Sequence, residues 1–139
     1  MKFTYLDLID PTISFAPIMA TNWFEYKEND FYSIFTDNEN KKFHIPGYNG
    51  KRCIIELEMA KRLSTIQKKL VPQGLSLCVY DAYRPQKAVN FFTEWTQLPE
   101  TPLVKERHHP FAKKKDFHEL SYLSQTSSHT LGTAVDVTI

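Results

Sequence analysis

The sequence lacks the features that would direct the chain to nucleic acid or to a membrane. Its 17 Lys and Arg residues nearly balance its 16 Asp and Glu residues, which gives a formal net charge of +1. So small a charge provides no general attraction to nucleic acid or to an anionic membrane. No apolar run approaches a membrane span, and residues 1–10 lack the apolar stretch of a signal peptide. We therefore expect no nucleic-acid partner, no membrane partner and a cytoplasmic location.

Cysteine and glycine are both scarce. Only Cys53 and Cys78 are present, and without an export signal we expect both to stay reduced. Two of the four glycines lie in a polar turn at 46–50 that shows no metal or phosphate chemistry. The remaining composition, 42% hydrophobic and 24% charged over 139 residues, is typical of a globular protein. It predicts a single soluble domain covering 1–139.

The pattern of apolar residues predicts a mixture of strands and helices. Strands are predicted at 3–9 and 75–80. One helix is predicted from Ile55 to a Pro-Gln-Gly stop at 72–74, and another at 86–97. Strands and helices in mixed order favour an α+β fold, with helices packed on one face of a mainly antiparallel sheet.

Other side chains are assigned to the core or to the surface. Met59, Leu63, Ile66 and Leu70 have helical spacing and predict the buried face of the first helix. An aromatic cluster early in the chain predicts core packing, with the wall of a substrate pocket as the alternative. Its members are Phe15, Trp23, Phe24, Tyr26, Phe31, Tyr32 and Phe35.

The segment at 99–126 has no clear periodicity. A connection of this length is often functional, so we expect it to form a pocket rim or a lid. Its lysine triplet at 113–115 is expected to be solvated, because nucleic-acid binding would need a wider basic surface. His108 and His109 are expected on the surface, since adjacent side chains of an extended chain point in opposite directions.

The last residues contain the least expected feature. Asp136 interrupts a β-branched run at 134–139, and an unpaired carboxylate is costly to bury in a strand. A bound cation would remove that cost, and His129 could share the cation. Seven residues of extended chain span roughly 23 Å. The chain must therefore turn between the two ligands, and Gly132 is best able to turn it.

The alternative to a metal site is a surface histidine with an aspartate at a strand edge. A lone His and Asp at this separation are common, but the full spacing Ser-x-His-x-x-Gly-x-Ala-x-Asp, which begins at Ser127, is much rarer. We therefore favour the metal site. Strand alternation then directs Val135, Val137 and Ile139 into the core, on the face opposite the carboxylate.

A second polar motif, Tyr-Asp-Ala-Tyr-Arg-Pro at 80–85, follows a predicted strand. The end of a strand can hold reactive side chains rigidly while exposing them. The alternative role for Arg84 is a surface ion pair with Asp81, which would contribute little to stability. Beside a metal site, however, the fixed donors of an arginine suit a developing oxyanion, and we favour that role for Arg84.

Together the two motifs resemble those of the zinc D-alanyl-D-alanine peptidases that share their fold with the hedgehog domain. The motif at 127–136 is similar to their metal motif, and the motif at 80–85 is similar to that of the VanX-type D-alanyl-D-alanine dipeptidases in particular. The similarity covers residues 45–139. It implies an α+β fold, one zinc ion per chain, a small dipeptide as substrate, and hydrolysis of D-Ala-D-Ala to D-alanine for cell-wall precursor metabolism.

The resemblance also implies roles for individual residues. His129 and Asp136 match two zinc ligands, and Arg84 matches the catalytic residue that steadies the oxyanion. The residues that the resemblance assigns to substrate binding or positioning are Ser127, Asp81 and Tyr83.

In that family a Glu-x-x-His element follows further along and supplies the catalytic glutamate and a third zinc ligand. No such element lies between Asp136 and Ile139, so the sequence resembles a family member truncated at its C-terminus. Loss of a general base costs roughly 10²- to 10⁴-fold in rate, and we expect weak zinc binding and little turnover from these 139 residues alone. We also expect either self-association through the truncated edge of the sheet, or coverage of Val135, Val137 and Ile139 by rearranged segments such as 99–126.

Two alternatives to this function remain open. The chain could be a related zinc peptidase that acts on other cell-wall peptides, which a panel of substrates would distinguish. It could instead be a catalytically inactive remnant or a binding module, which the metal stoichiometry of the purified protein would distinguish.

Overall fold

The computed structural model of the chain describes residues 1–16, 46–48, 52–100, 102, 105–106, 110–120, 124 and 126–139. In this part of the chain the elements are β1 (Phe3–Tyr5), α1 (Leu6–Ile9), β2 (Ser14–Phe15), β3 (Ile54–Glu56), α2 (Leu57–Leu70), β4 (Cys78–Asp81), α3 (Gln86–Thr96) and β5 (Asp136–Thr138). Helices combined with antiparallel strand pairs confirm the predicted α+β class. None of the helices in these ranges has the length and apolar character needed to cross a bilayer.

The described strands form two small sheets. One is the antiparallel pair of β1 and β3, and the other has the order β2-β4-β5. In the second sheet β2 runs parallel to β4, whereas β5 runs antiparallel to it. A register shift between Val79 and Asp81 brings Asp81 opposite Asp136. Two acidic side chains from distant parts of the sequence therefore meet where β4 ends.

The N-terminal strand is shorter than predicted. The predicted strand at 3–9 is wrong beyond Tyr5, because Leu6–Ile9 form a helical turn. This turn buries Leu6, which is 1% exposed, against the core. It closes where the backbone N–H of Asp10 donates to the carbonyl of Leu6. The tertiary packing of one leucine thus overrides the local alternation.

The first long helix also begins later than predicted. Ile55 belongs to β3, and α2 begins at Leu57 after Glu56, whose carboxylate accepts a hydrogen bond from the N–H of Met59 at 2.9 Å. This side-chain cap satisfies one of the free donors at the helix N-terminus. Leu63 is buried as predicted, but Ile66 is 45% exposed, so its assignment to the buried face was wrong.

The helix predicted at 86–97 is confirmed to within one residue as α3. Part of the long segment at 99–126 packs on this helix. Lys114 is 4% exposed, and its ammonium lies 4.4 Å from the centroid of the Trp95 ring and 3.2 Å from the carbonyl of Pro99. Burial lowers the pKa of Lys114, although the charge of Glu100 opposes that shift. The expectation of a fully solvated lysine triplet is therefore wrong at Lys114.

The core lies between α2 and the strands. Its buried members include Leu6, Ile55, Leu63 and Val79, and Phe15 packs against them. The remaining aromatic residues of the early cluster lie outside the described residues, as do His108 and His109.

The final strand departs from its prediction. Val135 packs against the core, but Val137 and Ile139 are 39% and 66% exposed. Their assignment to the core was wrong, because β5 lies at one edge of its sheet in the described part of the chain. Self-association through this edge stays a prediction.

Candidate metal centre

His129 lies in a short turn that is held by several hydrogen bonds. Ser128–Leu131 form a 3-10 helix, and the hydroxyl oxygen of Ser127 accepts the N–H of His129 at 3.2 Å. Gly132 ends the turn with φ of 65°, a left-handed conformation that glycine adopts without steric cost. Its N–H donates to the carbonyl of His129 at 2.9 Å. The sequence prediction that Gly132 reverses the chain is confirmed.

The orientation of the His129 ring is set by a backbone carbonyl. Its Nδ1 lies 2.8 Å from the carbonyl oxygen of Ala82, in the loop that follows β4. A carbonyl only accepts hydrogen bonds, so Nδ1 is the donor, and in the neutral ring Nε2 has the lone pair that can bind a metal. Metal-binding histidines are commonly held in this way. The N–H of Arg84 also donates to the carbonyl of His129 at 3.0 Å, which joins the two motifs through their backbones.

Asp136 faces the free nitrogen of this ring. Its Oδ1 lies 3.6 Å from His129 Nε2, which is too long for a good hydrogen bond. Two ligands at about 2 Å from one tetrahedral zinc ion are themselves roughly 3.3 Å apart. The imidazole nitrogen and the carboxylate oxygen therefore have a chemistry and a separation that fit a shared zinc ion.

The ionisation of Asp136 favours this role. Partial burial opposes ionisation, but His129 and Arg84 outweigh that effect and lower the pKa of the Asp136 carboxyl below its ordinary value. The carboxylate is consequently ionised at neutral pH. Its side chain is 48% exposed, so an ion or a small substrate can reach it.

Asp81 is the third acidic or imidazole side chain of the cluster. Ligand atoms of Asp81, His129 and Asp136 all lie within 4.8 Å of one another. Asp81 is buried, however, and its oxygens accept hydrogen bonds from the N–H of Ala82 and from the side chains of Arg84 and Tyr48. Burial raises the pKa of Asp81, and Arg84 offsets part of that rise. These contacts suit Asp81 to holding Arg84 better than to binding a metal.

Arg84 connects the two carboxylates. Its Nε lies 2.7 Å from Asp81 Oδ2, and its Nη2 lies 2.9 Å from Asp136 Oδ2. Its guanidinium carbon is 5.7 Å from the centroid of the Phe92 ring. Burial disfavours the charged arginine, but Asp81 and Asp136 more than compensate and raise its pKa. The expected alternative, a weak surface pair with Asp81, is wrong, because the Arg84 side chain is only 10% exposed.

The structure brings His129, Asp136, Arg84 and Asp81 together, and Ser127 caps the turn that carries His129. Tyr83 is placed differently, since its ring packs edge-on against Phe3 of β1, with the ring centroids 5.9 Å apart.

One residue of the cluster was missed by the sequence analysis. The Tyr48 hydroxyl lies 3.2 Å from both oxygens of Asp81, although the turn at 46–50 had been given no role. Burial, followed by the charge of Asp81, raises the pKa of Tyr48, which keeps its hydroxyl protonated as a donor. No local spacing links positions separated by 33 residues, so the sequence offered no signal for this contact.

Thiol chemistry is not available at the nearby Cys53. Both cysteines are free, and burial, with smaller effects of Asp81 and Asp7, raises the pKa of Cys53 to about 12. The thiolate needed for metal binding or nucleophilic attack is therefore absent at neutral pH.

Comparisons with known proteins identify the family of the chain. A family model described as D-ala-D-ala dipeptidase matches residues 25–139. The chain is 34% identical over 95 residues to a D-alanyl-D-alanine dipeptidase of Enterococcus faecium. Proteins of the same name from Streptomyces coelicolor and Enterococcus faecalis are 32% identical over 95 residues. Each match covers 68% of this chain and 47% of the relative, so the chain spans about half the length of the curated relatives it matches. From residue 25 to its last residue, the chain belongs to the D-Ala-D-Ala dipeptidase family.

Proposed function

We propose that the protein is a zinc-dependent dipeptidase that hydrolyses D-Ala-D-Ala to two molecules of D-alanine. The observation that carries the proposal is the 3.6 Å separation of His129 Nε2 and Asp136 Oδ1, with Nδ1 of the same ring held by Ala82. The substrate in this proposal is taken from the names of the related dipeptidases. Both cysteines are free, which is compatible with action in the cytoplasm.

In this proposal His129 and Asp136 hold the zinc ion. Zinc bound there supplies Lewis-acid chemistry, which activates water and polarises the scissile carbonyl. The hydrogen bond from Nδ1 to Ala82 keeps Nε2 directed at the metal. The ion pair with Arg84 orients Asp136 before any metal arrives.

Arg84 stabilises the negative charge that develops on the carbonyl oxygen during attack. Two of its five N–H donors form the ion pairs with Asp81 and Asp136, and the others can serve the substrate. Asp81 and Tyr48 hold this guanidinium in place, so little reorganisation is needed during the reaction. We assign Ser127 to substrate binding, and Tyr83 to supporting the loop that carries Arg84.

Zinc in catalytic sites generally has three protein ligands and an exchangeable position. The described residues supply two such ligands. The proposal therefore needs a third ligand and a general base from the Glu-x-x-His element that the family resemblance implies.

The first test measures zinc content and D-Ala-D-Ala hydrolysis together. A protein that includes the Glu-x-x-His element should retain zinc through dialysis and lose activity with a chelator, whereas residues 1–139 alone should bind zinc weakly. His129→Ala and Asp136→Ala should each abolish turnover and weaken zinc binding severely. His118→Ala is the matched control, because it removes a histidine that is not part of the cluster, and it should change neither quantity.

The substrate is tested by a panel containing D-Ala-D-Ala, L-Ala-L-Ala and longer peptides that end in D-Ala-D-Ala. Preference for the free D,D-dipeptide supports the proposal. Preference for the longer peptides would make the protein a zinc peptidase of cell-wall peptides instead. Stoichiometric zinc with no hydrolysis of any of them would indicate a binding module.

A further inference from the structure

The turn that carries His129 and the loop that carries Arg84 both form hydrogen bonds with β3. The carbonyl of Gly132 accepts a hydrogen bond from the N–H of Glu56 in β3 at 3.1 Å. The N–H of Tyr83 donates to the carbonyl of Ile54, in the same strand, at 2.9 Å. Both loops of the candidate metal centre are thus tied to the sheet formed by β1 and β3.

The ring of Phe3, although the residue is 48% exposed, contacts both of these loops. A Cβ atom placed on Gly132 would lie 2.6 Å from Cε1 of Phe3, so the ring lies directly against the backbone of the glycine. The same ring meets Tyr83 edge-on, with an interplanar angle of 71°. One aromatic side chain therefore contacts both the turn that follows His129 and the loop that carries Arg84.

The position of Phe3 is itself well supported. β1 pairs with β3 in a register that places Phe3 opposite Glu56. Glu56 then caps α2, the longest helix of the described chain. A displacement of the Gly132 turn would have to push the ring away from a sheet that is joined to this helix.

We propose that Phe3 is a positioning residue for the metal centre, and that its ring holds the Gly132 turn so that His129 and Asp136 keep the separation needed for one metal ion. This inference rests on the proposed zinc function. Without the ring, Gly132 can sample other backbone conformations, because glycine has few steric restrictions. The position of His129 then varies relative to Asp136, which follows only four residues after the glycine.

The test compares Phe3→Ala, Phe3→Leu and Tyr5→Ala in the complete protein. Tyr5 lies two residues along the same strand and contacts Arg52, with 3.8 Å between the guanidinium carbon and the ring centroid, so its variant is a matched aromatic control. Zinc affinity is measured by competition with a chelator, and ligand geometry by the visible spectrum of the Co²⁺-substituted protein. Outer contacts that orient metal ligands typically change metal affinity by about 10- to 100-fold.

We expect Phe3→Ala to weaken zinc binding by about 10-fold and to change the Co²⁺ spectrum. Phe3→Leu should recover most of the affinity, because leucine restores contact with Gly132, and Tyr5→Ala should behave like the wild type. Unchanged affinity and spectrum in a folded Phe3→Ala protein would overturn the proposal.

A second measurement requires no metal. Amide hydrogen exchange reports the opening of the bond from Glu56 to Gly132 and of the bond from Arg84 to His129. Both amides should exchange faster in Phe3→Ala than in Tyr5→Ala. If the wild type binds no zinc, the proposed function fails. Exchange then decides the role of Phe3 separately, and equal rates in the two variants would refute that role.

Discussion

At the scale of single residues, the centre is organised by one arginine and one tyrosine. Arg84 forms ion pairs with two carboxylates, and Tyr48 donates to the carboxylate that holds the arginine. A buried charge is tolerated only when it is paired and hydrogen-bonded. Asp81 meets both conditions, and this explains why an acidic residue can be buried at the end of β4.

We predict that Arg84→Lys, assayed at saturating zinc, lowers kcat for D-Ala-D-Ala by about 10²- to 10³-fold, beyond any loss of zinc affinity that follows from the lost contact with Asp136. A single ammonium group cannot reproduce the two ion pairs and still direct donors at the substrate. Steady-state kinetics and zinc competition provide the two measurements. Arg52→Lys is the control, since Arg52 pairs with Asp7 on the surface and should tolerate the change. An unchanged kcat in Arg84→Lys would exclude the oxyanion role.

Tyr48→Phe should destabilise the protein by about 1.5 kcal/mol, because the buried Asp81 carboxylate loses a donor. The contact is long at 3.2 Å, so we place the effect at the lower end for hydrogen bonds to charged groups. Urea unfolding measures the difference. Tyr5→Phe, at a tyrosine that is 38% exposed, should be neutral. Equal stability of the two variants would show that Tyr48 contributes no net stabilisation.

At the scale of elements, the turn that carries His129 depends on glycine for two separate reasons. Gly132 has positive φ, and its Cα faces the ring of Phe3 and the N–H of Glu56. Gly74, which ends the turn after α2, also has positive φ, but nothing lies within 4 Å of the place where its Cβ would be. Substitutions at the two glycines can therefore be compared to separate the cost of backbone strain from the cost of steric contact.

We predict that Gly74→Ala costs about 1–2 kcal/mol, the usual cost of a left-handed conformation for a residue with a Cβ. Gly132→Ala should cost at least about 1 kcal/mol more, because a Cβ at 2.6 Å from Phe3 forces a displacement. Chemical unfolding of both variants measures these costs. Adding Phe3→Ala to Gly132→Ala should recover part of the extra loss. Equal costs at the two glycines would mean that the turn moves freely away from Phe3.

At the scale of the whole molecule, a polar network joins α2 to the N-terminal segment. Asp10 is 7% exposed and accepts hydrogen bonds from Thr12 and from Ser64 of α2. Gln67, one turn further along α2, donates to the hydroxyl of Ser76 and accepts the N–H of Leu77. Buried polar groups with full sets of partners specify one arrangement of the elements, because any other arrangement leaves them unsatisfied.

This network predicts a specific dependence of stability on pH. Burial raises the pKa of Asp10, but the hydrogen bonds from Thr12 and Ser64 outweigh it, so the folded pKa lies below the ordinary value of 3.8. A lowered folded pKa gives stabilisation that is complete well above 3.8 and is lost as the pH falls through the folded pKa. Urea unfolding between about pH 6 and pH 3 should therefore show a smaller loss of stability in Asp10→Asn than in the wild type. The same slope in both proteins would contradict the prediction.

The sequence by itself determined the class of the fold and indicated which residues meet at the centre. Helical periodicity predicted α2 and α3 closely, because it records which face of a helix is buried. The spacing of His129, Gly132 and Asp136 predicted the turn and the approach of His129 to Asp136, since a chain of seven residues can meet itself only through such a turn. The motif that contains Arg84 was assigned to the same centre.

The tertiary structure decided what depends on contacts between distant segments. Only packing showed that Leu6 begins a helix and that Ile66 is exposed, because local patterns do not specify which neighbours cover a side chain. Pairing of β4 with β5 brought Asp81 opposite Asp136, and a turn 33 residues before Asp81 contributed Tyr48. Register and long-range contact arise from the whole set of packed elements, so no window of sequence contained them.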